Sequence, residues 1–400
     1  MMLKGTNLTY TKDYNSRIVF ETVRLEGPIS RAEIARQTGL TAQTVSNIVS
    51  RLLTQNLLEE GKKTQKGRGA PSTTLGIHPE GAYSIGLDFN RDHLTGILVN
   101  LLGEVVGKIY YEIDSPTPEE AIDLMSTTIE ELSSLKNIDS SNIIGVGVGF
   151  PGPMEIDKND TVSNVVNPKA FPNWNKVPVV SLLQKHIDVP IFLENNASAA
   201  AIGERWYGIG RNILNFHYIF FGAGLGGGLI INGELVDGAH ANAGEIGYLP
   251  TGNFVSPLCE SDQPHIGEHF NLSRLYKWLE EKSGKEIKRP QQLESLLNSN
   301  NKYFNEWIEL GTKILAPSIL AIEYLVDPNA IIIGGRLPLS ILELLQEKIN
   351  VELSKIRILE NGQSPKLICS TTGIDAVSLG AATLPMFDLL AAQSIVLNKK

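Results

Sequence analysis

The side chains with the most informative chemistry lie between positions 43 and 51 of this 400-residue chain. One face of a predicted helix carries Gln43, Thr44, Ser46, Asn47 and Arg51. These groups donate hydrogen bonds to, or accept them from, base edges and phosphates, which is typical of DNA recognition. The alternative is an ordinary surface helical hairpin with a polar outer face.

A helix-turn-helix over residues 30–51 is predicted to position those side chains. Ser30 can cap a short helix by accepting a hydrogen bond from an early backbone amide, and Thr41 can cap the next one. Gly39 supplies the tight turn between them. The predicted contact between the helices is made by Ala35, Leu40, Val45, Ile48, Leu52 and Leu53.

Flanking segments extend this unit to a winged domain. Residues 14–25 have the apolar spacing of a helix, and residues 57–60 and 73–77 read as two strands. The basic loop between the strands contains glycines that permit close backbone approach and lysines that can neutralise phosphates. Arg68 is suited to insertion into a narrow A·T-rich minor groove. The alternative is that the whole loop is a flexible basic linker. The predicted DNA-contacting residues are Arg31, Thr41, Gln43, Thr44, Ser46, Asn47, Arg51, Lys62, Lys63, Lys66 and Arg68.

Charge is distributed unevenly along the chain. Residues 1–75 contain 11 Lys+Arg and 6 Asp+Glu, whereas the rest contains 24 and 38, so the overall charge is −9. This asymmetry suits one part that meets nucleic acid and one that does not.

Cys259 and Cys369 are far apart, so no disulfide framework is predicted. The first residues lack the apolar core of a signal peptide, and no run reaches the roughly 20 apolar residues of a membrane helix. We therefore expect a cytoplasmic protein without a membrane partner.

From about residue 80, strand, turn and helix alternate. Two strand meanders, each followed by helices, predict a duplicated α/β fold with a cleft between two lobes. The predicted strands are 83–88, 95–100, 105–112, 143–150, 191–193, 216–221, 228–231 and 330–334. The predicted helices are 119–135, 197–207 and a helical stretch from 272 to about 325.

Five ordered motifs in this part resemble the ROK family of repressors, open reading frames and sugar kinases. They are residues 149–153 (GFPGP), 171–174 (FPNW), 194–204 (ENNASAAAIGE), 222–235 (GAGLGGGLIINGEL) with 244–247 (GEIG), and 331–335 (IIIGG). The resemblance implies a two-lobe, ribonuclease H-like and actin-like sugar-kinase fold. It further implies a winged helix-turn-helix domain over residues 1–78 and an effector-binding and oligomerisation domain over residues 79–400.

Two departures from the family's kinases bear on catalysis. Where those kinases have the aspartate that takes the proton from the sugar hydroxyl, this chain has Asn196, and an amide cannot act as that base. The glycine-rich phosphate strand is replaced by residues 88–92 (DFNRD), which add bulk and an acid. The sequence therefore predicts a protein that is not an enzyme and needs no cofactor.

The family's zinc cluster is also incomplete. Tyr248 replaces the usual histidine, and only Cys259 remains of three cysteines. His265 and His269 are four residues apart and could share a helix face near Cys259, but the sequence favours two exposed polar histidines and no metal. The loop 248–268 must then be held in another way.

The resemblance also implies a sugar pocket that is better preserved. Glu245 offers several lone pairs to two hydroxyls, and asparagines both donate and accept. Tyr248 can stack on a sugar ring or bond through its hydroxyl, whereas Glu268 can equally be a surface acid. The predicted sugar-binding residues are Gly152, Pro153, Asn167, Asn195, Asn196, Glu245, Tyr248 and Glu268.

These features predict a sugar-responsive transcriptional regulator, with repression of carbohydrate-metabolism genes relieved by a sugar or sugar derivative. Its expected partners are a pseudo-palindromic double-stranded operator, the sugar, and further copies in a homodimer or homotetramer. Activation by ligand and sequestration by a protein partner remain open. The alternatives are a ROK-type sugar kinase with an added DNA-binding head, and a DNA-binding protein whose pocket no longer binds ligand.

Overall fold

The computed structural model describes residues 8–64, 72–136, 138–152, 154–156, 163–166, 171, 173–252, 256–259, 264–284, 286–358 and 364–390.

The first domain, here called the head, is a winged helix-turn-helix. Ser30 accepts from the Glu33 amide while the Glu33 side chain accepts from the Ser30 amide, and Thr41 accepts from the Thr44 amide, so both predicted caps are confirmed. Gly39 ends the first helix of the pair with a φ of 71°, as predicted for the turn. The elements are α1 (Leu8–Glu26), β1 (Ile29–Ser30), α2 (Arg31–Thr38), α3 (Ala42–Thr54), β2 (Leu58–Thr64) and β3 (Ser72–Ile77).

The wing is a three-stranded sheet in the order β1-β3-β2. The two-residue strand β1 was not predicted, because it is too short to show a pattern. The tip of the wing between β2 and β3 lies outside the described residues.

The first lobe contains a five-stranded sheet in the order β10-β7-β4-β5-β6. β4, β5 and β6 form an antiparallel meander, and β7 and β10 join parallel to β4. The elements are β4 (Tyr83–Phe89), β5 (His93–Asn100), β6 (Val105–Glu112), α4 (Pro118–Ser133), β7 (Ile143–Phe150), β8 (Met154–Ile156), β9 (Ser163–Val166), α5 (Val179–Leu183) and β10 (Ile191–Asn195). The helix α6 (Asn196–Tyr207) follows β10 directly.

The second lobe repeats this topology in a sheet of order β13-β12-β11-β14-β15, which confirms the duplicated fold. The helical stretch expected over residues 272–325 is instead three helices, because Gly284 ends the first at a φ of 65° and Asn301 caps the last. The elements are β11 (Phe216–Phe221), β12 (Leu225–Ile231), β13 (Glu234–Leu235), α7 (Ile266–His269), α8 (Leu272–Ser283), α9 (Leu293–Asn298), α10 (Lys302–Val326), β14 (Ala330–Gly335), α11 (Leu339–Ile356), β15 (Lys366–Cys369) and α12 (Ala376–Leu390).

Two helices, α6 and α12, lie between the sheets. α6 packs on β11 and β12 of the second sheet, and α12 packs on β4, β5 and β7 of the first. The helices cross closely where Gly203 faces Gly380, because a Cβ added to Gly203 would come within 2.8 Å of the Gly380 Cα. This close approach packs α6 tightly against α12.

One segment among the described residues, 373–390, is long and apolar enough to cross a membrane. It consists mainly of α12, and 56% of it is buried inside the fold. The packing of α12 against the first sheet and α6 accounts for its apolar composition.

Within the described residues, the buried apolar side chains of the head belong to a cluster that extends into the first lobe. A single cluster of buried apolar side chains includes Val19, Val45 and Leu75 from the head together with Ile97 and Trp206 from beyond it. Arg17 also donates to the Asp388 carbonyl at the end of α12. The head and the first lobe therefore share a continuous interior.

Candidate ligand cleft and nucleic-acid interface

A cleft of about 630 Å³ opens between the lobes. Its first wall is formed where the parallel strands β10, β7 and β4 end, because the carboxyl ends of parallel strands meet at one sheet edge. Asn195, Gly152 and Arg91 lie at these three ends. The second lobe contributes Glu245 and the start of α8.

Glu245 and Asn195 meet across the cleft. The Asn195 Nδ2 donates to Glu245 Oε1 at 3.3 Å, while the Asn195 Oδ1 accepts from the amides of Ala197 and Ser198 at the start of α6. Gly152 lies against this pair, since a Cβ there would come within 2.9 Å of Asn195 Nδ2. The geometry leaves lone pairs of the carboxylate directed to the cleft, where they can accept hydroxyl hydrogens.

Asn196 is the first residue of α6 and also lines the cleft. Its Oδ1 accepts from the Ala197 amide at 2.8 Å, which leaves the Nδ2 as a donor. Neither atom can take a proton from a hydroxyl at neutral pH.

Burial raises the pKa of two carboxyl groups in this region. The pKa of Glu245 is raised to about 7, and so is that of Glu194, whose Oε1 accepts from the Asn195 amide. A low-polarity environment disfavours the charged form, and neither carboxylate has a cationic partner among the described residues. Hydroxyl donors from a ligand would supply part of the lost solvation.

Tyr248 and Glu268 lie at the mouth of the cleft. The Tyr248 side chain is 59% exposed, and its ring lies 5.5 Å from that of His265. Glu268 accepts from Arg274 of α8 at 2.8 Å, so its carboxylate is partly committed to an ion pair. Of the other predicted sugar-binding residues, Pro153 and Asn167 lie outside the described residues.

Backbone and side-chain bonds hold the described parts of loop 248–268. His265 Nδ1 donates to the Gly247 carbonyl at 2.8 Å, and the Ile266 amide donates to the Leu249 carbonyl at 3.0 Å. Thr251 Oγ1 lies 3.1 Å from His269 Nε2. Among the described residues, no group of three or more His, Cys, Asp or Glu is arranged to hold a metal.

The prediction that both histidines are exposed was wrong for His269. This side chain is 1% exposed, because α7 turns it inward toward Thr251. His265 is the N-cap of α7 and is half-buried, so the two do not form a shared exposed face.

The glycines of β12 serve packing. A Cβ added to Gly226 or Gly228 would approach the Cβ of Ala197 or Ala201 on α6, at 2.9 and 2.7 Å. A Cβ at Gly227 would come within 2.2 Å of the Gly244 carbonyl. These glycines therefore allow β12 to approach α6 and the loop that carries Glu245.

A polar network with three buried members and a partly exposed one, Asp92, joins the lobes beside the cleft. His93 contacts Asp88 Oδ2 at 3.1 Å through Nε2 and Asp92 Oδ1 at 2.7 Å through Nδ1. Arg336, which follows β14 of the other lobe, packs against His93 and lies 3.5 Å from Asp92 Oδ2. We call Asp88, Asp92, His93 and Arg336 the interlobe network.

The charges of this network reinforce one another. Burial opposes charge on His93, but the neighbouring Asp88 and Asp92 raise its pKa above the ordinary value. Burial likewise opposes ionisation of Asp92, but His93 and Arg336 lower its pKa to about 2. The space left between Asp92, Arg336 and α8 is about 10 Å³, roughly one water.

In the head, α3 presents the predicted base-reading face to solvent. Gln43 and Asn47 are exposed and joined by a 3.0 Å hydrogen bond, and Thr44 and Ser46 are half-buried beside them. Val45, Ile48 and Leu52 are buried on the opposite face as predicted, together with Val49. Thr41 Oγ1 lies 2.8 Å from Thr44 Oγ1.

The predicted cations of the head differ in their surroundings. Arg31 pairs with Glu60 at 3.0 Å, and the guanidinium of Arg51 donates to Ser16 Oγ on α1, so both are engaged within the head. Lys62 is exposed on β2. The side chain of Lys63, and all of Lys66 and Arg68, lie outside what the structure describes.

Several cleft residues were not predicted from the sequence. Arg274 and Lys277 come from α8, and a family signature carries no information on them. Arg91 belongs to residues 88–92, which were predicted only to obstruct the binding of a phosphate. The contact of Arg24 with Trp206 was also missed, because 182 residues separate the two.

Comparison with known proteins assigns the chain to a family. A model of the ROK family matches residues 84–386. The chain belongs to the ROK family. A model of the MarR family matches residues 7–69, which contain the helix-turn-helix.

Relatives of known name share this arrangement. The ROK chain is 29% identical to the xylose repressor of Bacillus spizizenii over 380 residues, covering 94% of this chain and 96% of the relative. A crystal structure of a ROK family transcriptional regulator, a homologue of the E. coli MLC protein, covers 98% of this chain and 100% of that one with a TM-score of 0.75 and 19% identity.

A ROK family glucokinase from Streptomyces griseus, solved with glucose and AMPPNP, covers 76% of this chain and 99% of that one. Its TM-score is 0.64 and its identity 19%, so this likeness concerns the fold. The predicted fold, a winged-helix head and a sugar-kinase-like α/β domain, is confirmed.

Proposed function

We propose that this ROK protein is a sugar-responsive transcriptional repressor of carbohydrate-metabolism genes that a sugar or sugar derivative releases from DNA. One observation carries the proposal: α6 begins at the cleft with Asn196 and ends at Trp206–Tyr207 against α1 of the head. A 12-residue helix spans about 18 Å, so one rigid element contacts both sites. The xylose repressor of similar length supports the same assignment.

The sugar is proposed to bind through Glu245, Asn195 and Asn196. The carboxylate accepts from two hydroxyls, and the amides donate to and accept from others. Gly152 provides a surface without a side chain, which lets the ring approach Asn195. Tyr248 and Glu268 cover the opening, with Pro153 and Asn167 added by resemblance to the family.

Phosphoryl transfer is not proposed. Asn196 cannot take the proton, and the segment that corresponds by resemblance to the kinases' phosphate strand carries Asp88 and Asp92 of the interlobe network. The glycines of β12 are used for packing on α6. The chain is therefore proposed to bind its sugar without converting it.

On DNA, a homodimer is proposed to read two half-sites, with α3 of each copy in a major groove. Gln43 and Asn47 are proposed to contact base edges, and Lys62 to contact phosphates. The wing-tip residues Lys66 and Arg68 are proposed to extend the phosphate and minor-groove contacts. A homotetramer built from two such dimers satisfies the same geometry.

Release requires that the sugar bind one conformer better than the other. A hundredfold preference corresponds to about 2.7 kcal/mol of coupling. Closure of the cleft on the sugar is proposed to move α6 relative to the first sheet and thereby α1 and the spacing of the two heads.

The test is fluorescence anisotropy of the full chain with the DNA upstream of its own gene and with a scrambled duplex, at physiological salt. We expect nanomolar preference for the natural sequence and loss of that preference when the correct sugar is titrated in. Equal, weak binding to both duplexes that disappears with added salt would contradict sequence reading by the head.

A further inference from the structure

Arg91 is a cation of the cleft whose charge has no partner among the described residues. Arg91 lines the cleft with a half-buried side chain, and within the described part of the chain its guanidinium makes no hydrogen bond or ion pair. Arginine stays protonated in proteins and presents five donors in one plane. A half-buried guanidinium that faces a cleft is therefore suited to an anionic ligand group.

The backbone that carries Arg91 is braced on both sides. The Asn90 amide donates to the His93 carbonyl at 2.9 Å, and Asn90 Oδ1 accepts from the Arg91 amide at 2.9 Å. The Ser115 amide donates to the Arg91 carbonyl at 2.8 Å. Because the turn is fixed, little backbone entropy is lost when Arg91 binds a ligand.

The opposite lobe adds a second positive charge. Lys277 of α8 also lines the cleft. Two acids near this end are paired with other cations, since Glu268 pairs with Arg274 and Asp92 pairs with His93 and Arg336. The Arg91 end is thus positive, although residues 76–400 carry 38 acidic and 24 basic side chains.

Geometry separates this positive end from the hydroxyl-binding end. Asn195 ends β10, Arg91 follows β4, and only β7 lies between these strands. Two strand spacings amount to roughly 10 Å, a span that one sugar ring with an extended substituent covers.

We propose that the effector is an anionic sugar derivative, a phosphate ester or a sugar acid. Its hydroxyls bind Glu245 and Asn195, and its anionic group binds Arg91 with Lys277 of the other lobe. This inference rests on the proposed function and adds the chemical class of the ligand. It also gives the second lobe a direct contact that favours closure of the cleft.

Calorimetry and thermal shift on the full chain test this assignment. The probes are D-glucose, D-glucose 6-phosphate, D-glucuronate, D-xylose, D-xylose 5-phosphate and inorganic phosphate, at one fixed ionic strength. We compare the natural chain with Arg91→Gln and with Lys185→Gln, which removes an exposed cation that does not line the cleft.

We expect at least one phosphate ester or acid to bind roughly 10- to 100-fold more tightly than its neutral parent, the ratio expected for hydrogen bonds to a charged group. Arg91→Gln is expected to reduce that ratio to within about threefold and to leave the affinity for the neutral parent unchanged. Lys185→Gln is expected to change neither. Preference for the ester over the acid, or the reverse, identifies the anionic group.

Four results overturn the inference. Binding of neutral sugars without preference for their anionic derivatives refutes the ligand class but leaves the proposed function intact. Inorganic phosphate that binds as tightly as the esters shows a free-anion site. A lack of binding by every sugar refutes the proposed function as well, and equal losses for both ligand types in Arg91→Gln show a structural role for Arg91.

Discussion

The guanidinium of Arg24 lies 4.5 Å from the centre of the Trp206 ring and donates to the Trp206 carbonyl at 2.9 Å. Arg24 belongs to α1 of the head, whereas Trp206 stands at the end of α6. Both residues are buried, and Arg211 donates in turn to the Arg24 carbonyl. This contact between Arg24 and Trp206, here called the joint, therefore combines a cation–π interaction with hydrogen bonds in a site closed to water.

Arg24→Gln is expected to uncouple the two sites. The variant should bind its sugar with a dissociation constant within about twofold of the natural chain, but sugar should release DNA less, because the joint contributes roughly 1–2 kcal/mol. Anisotropy with and without sugar measures this. Arg17→Gln is the control, since Arg17 is on the same helix but donates to Asp388 of α12. An unchanged response in Arg24→Gln would argue that the signal reaches the head by another route.

Glu245→Gln is expected to weaken sugar binding about tenfold or more while leaving DNA affinity without sugar unchanged. The amide loses one acceptor position and the charge-assisted character of its hydroxyl bonds. Calorimetry with the sugar that releases the operator measures the loss. Glu268→Gln provides a comparison with a smaller expected effect, because Arg274 already occupies part of that carboxylate. Equal affinity in Glu245→Gln and the natural chain would remove Glu245 from the pocket.

In the free protein, Glu245 and Glu194 are expected to contribute stability that declines as pH rises from about 4.5 to about 7. The pKa of Glu245 and of Glu194 is raised from 4.5 to about 7 by burial, so the folded state binds more protons than the unfolded state in this window. Glu245→Gln should flatten that decline, whereas exposed Glu306→Gln should not. Thermal unfolding at pH 5, 6, 7 and 8 measures the slopes, and parallel slopes for all three proteins would contradict the assignment.

Local patterns predicted most of the fold. The strands Val105–Glu112, Ile143–Phe150 and Phe216–Phe221 lie at the predicted residues, because each is a continuous run whose ends are marked by turn residues. The caps of α2 and α3 were likewise predictable, since a cap depends only on residues three positions apart.

The cleft was predicted less completely, for a physical reason. Glu245 and Asn195 belong to motifs, but Arg91, Arg274 and Lys277 enter the cleft only because distant strands and α8 meet there. The burial of His269 similarly depends on how a four-residue helix is oriented. Contacts of this kind depend on tertiary packing. The spacing of residues along the sequence does not show which distant elements will meet.

Asn196→Asp is expected to produce no ADP above a blank without protein. Restoring the base leaves the interlobe network between Arg336 and the Asp92–His93 pair in place. A coupled assay over a panel of sugars, with an active sugar kinase as positive control, measures turnover. Retained sugar-induced thermal shift would show that the variant is folded, and clear turnover would favour the kinase alternative.

Two variants of the head are expected to weaken DNA binding in different ways. Gln43→Ala should cost about 1–3 kcal/mol on the natural operator and relax the preference for one base pair. Arg68→Ala should weaken binding to all sequences and lower the slope of log affinity against log salt by about 1. Anisotropy titrations at several salt concentrations separate the two. Identical salt slopes for Arg68→Ala and the natural chain would contradict a role for Arg68 at the phosphates or the minor groove.

The continuous interior of head and first lobe limits how such a regulator can change its target. Val19, Val45 and Leu75 are buried with Ile97 and Trp206, so a head grafted from another protein would have to match this surface side chain by side chain. Exchange of a whole head would therefore require many compensating substitutions in the first lobe and α6. Substitution at the exposed positions of α3, such as Gln43 and Asn47, leaves the interior untouched. Recognition of a new operator can then evolve by single substitutions on α3, while the sugar-binding lobes stay unchanged.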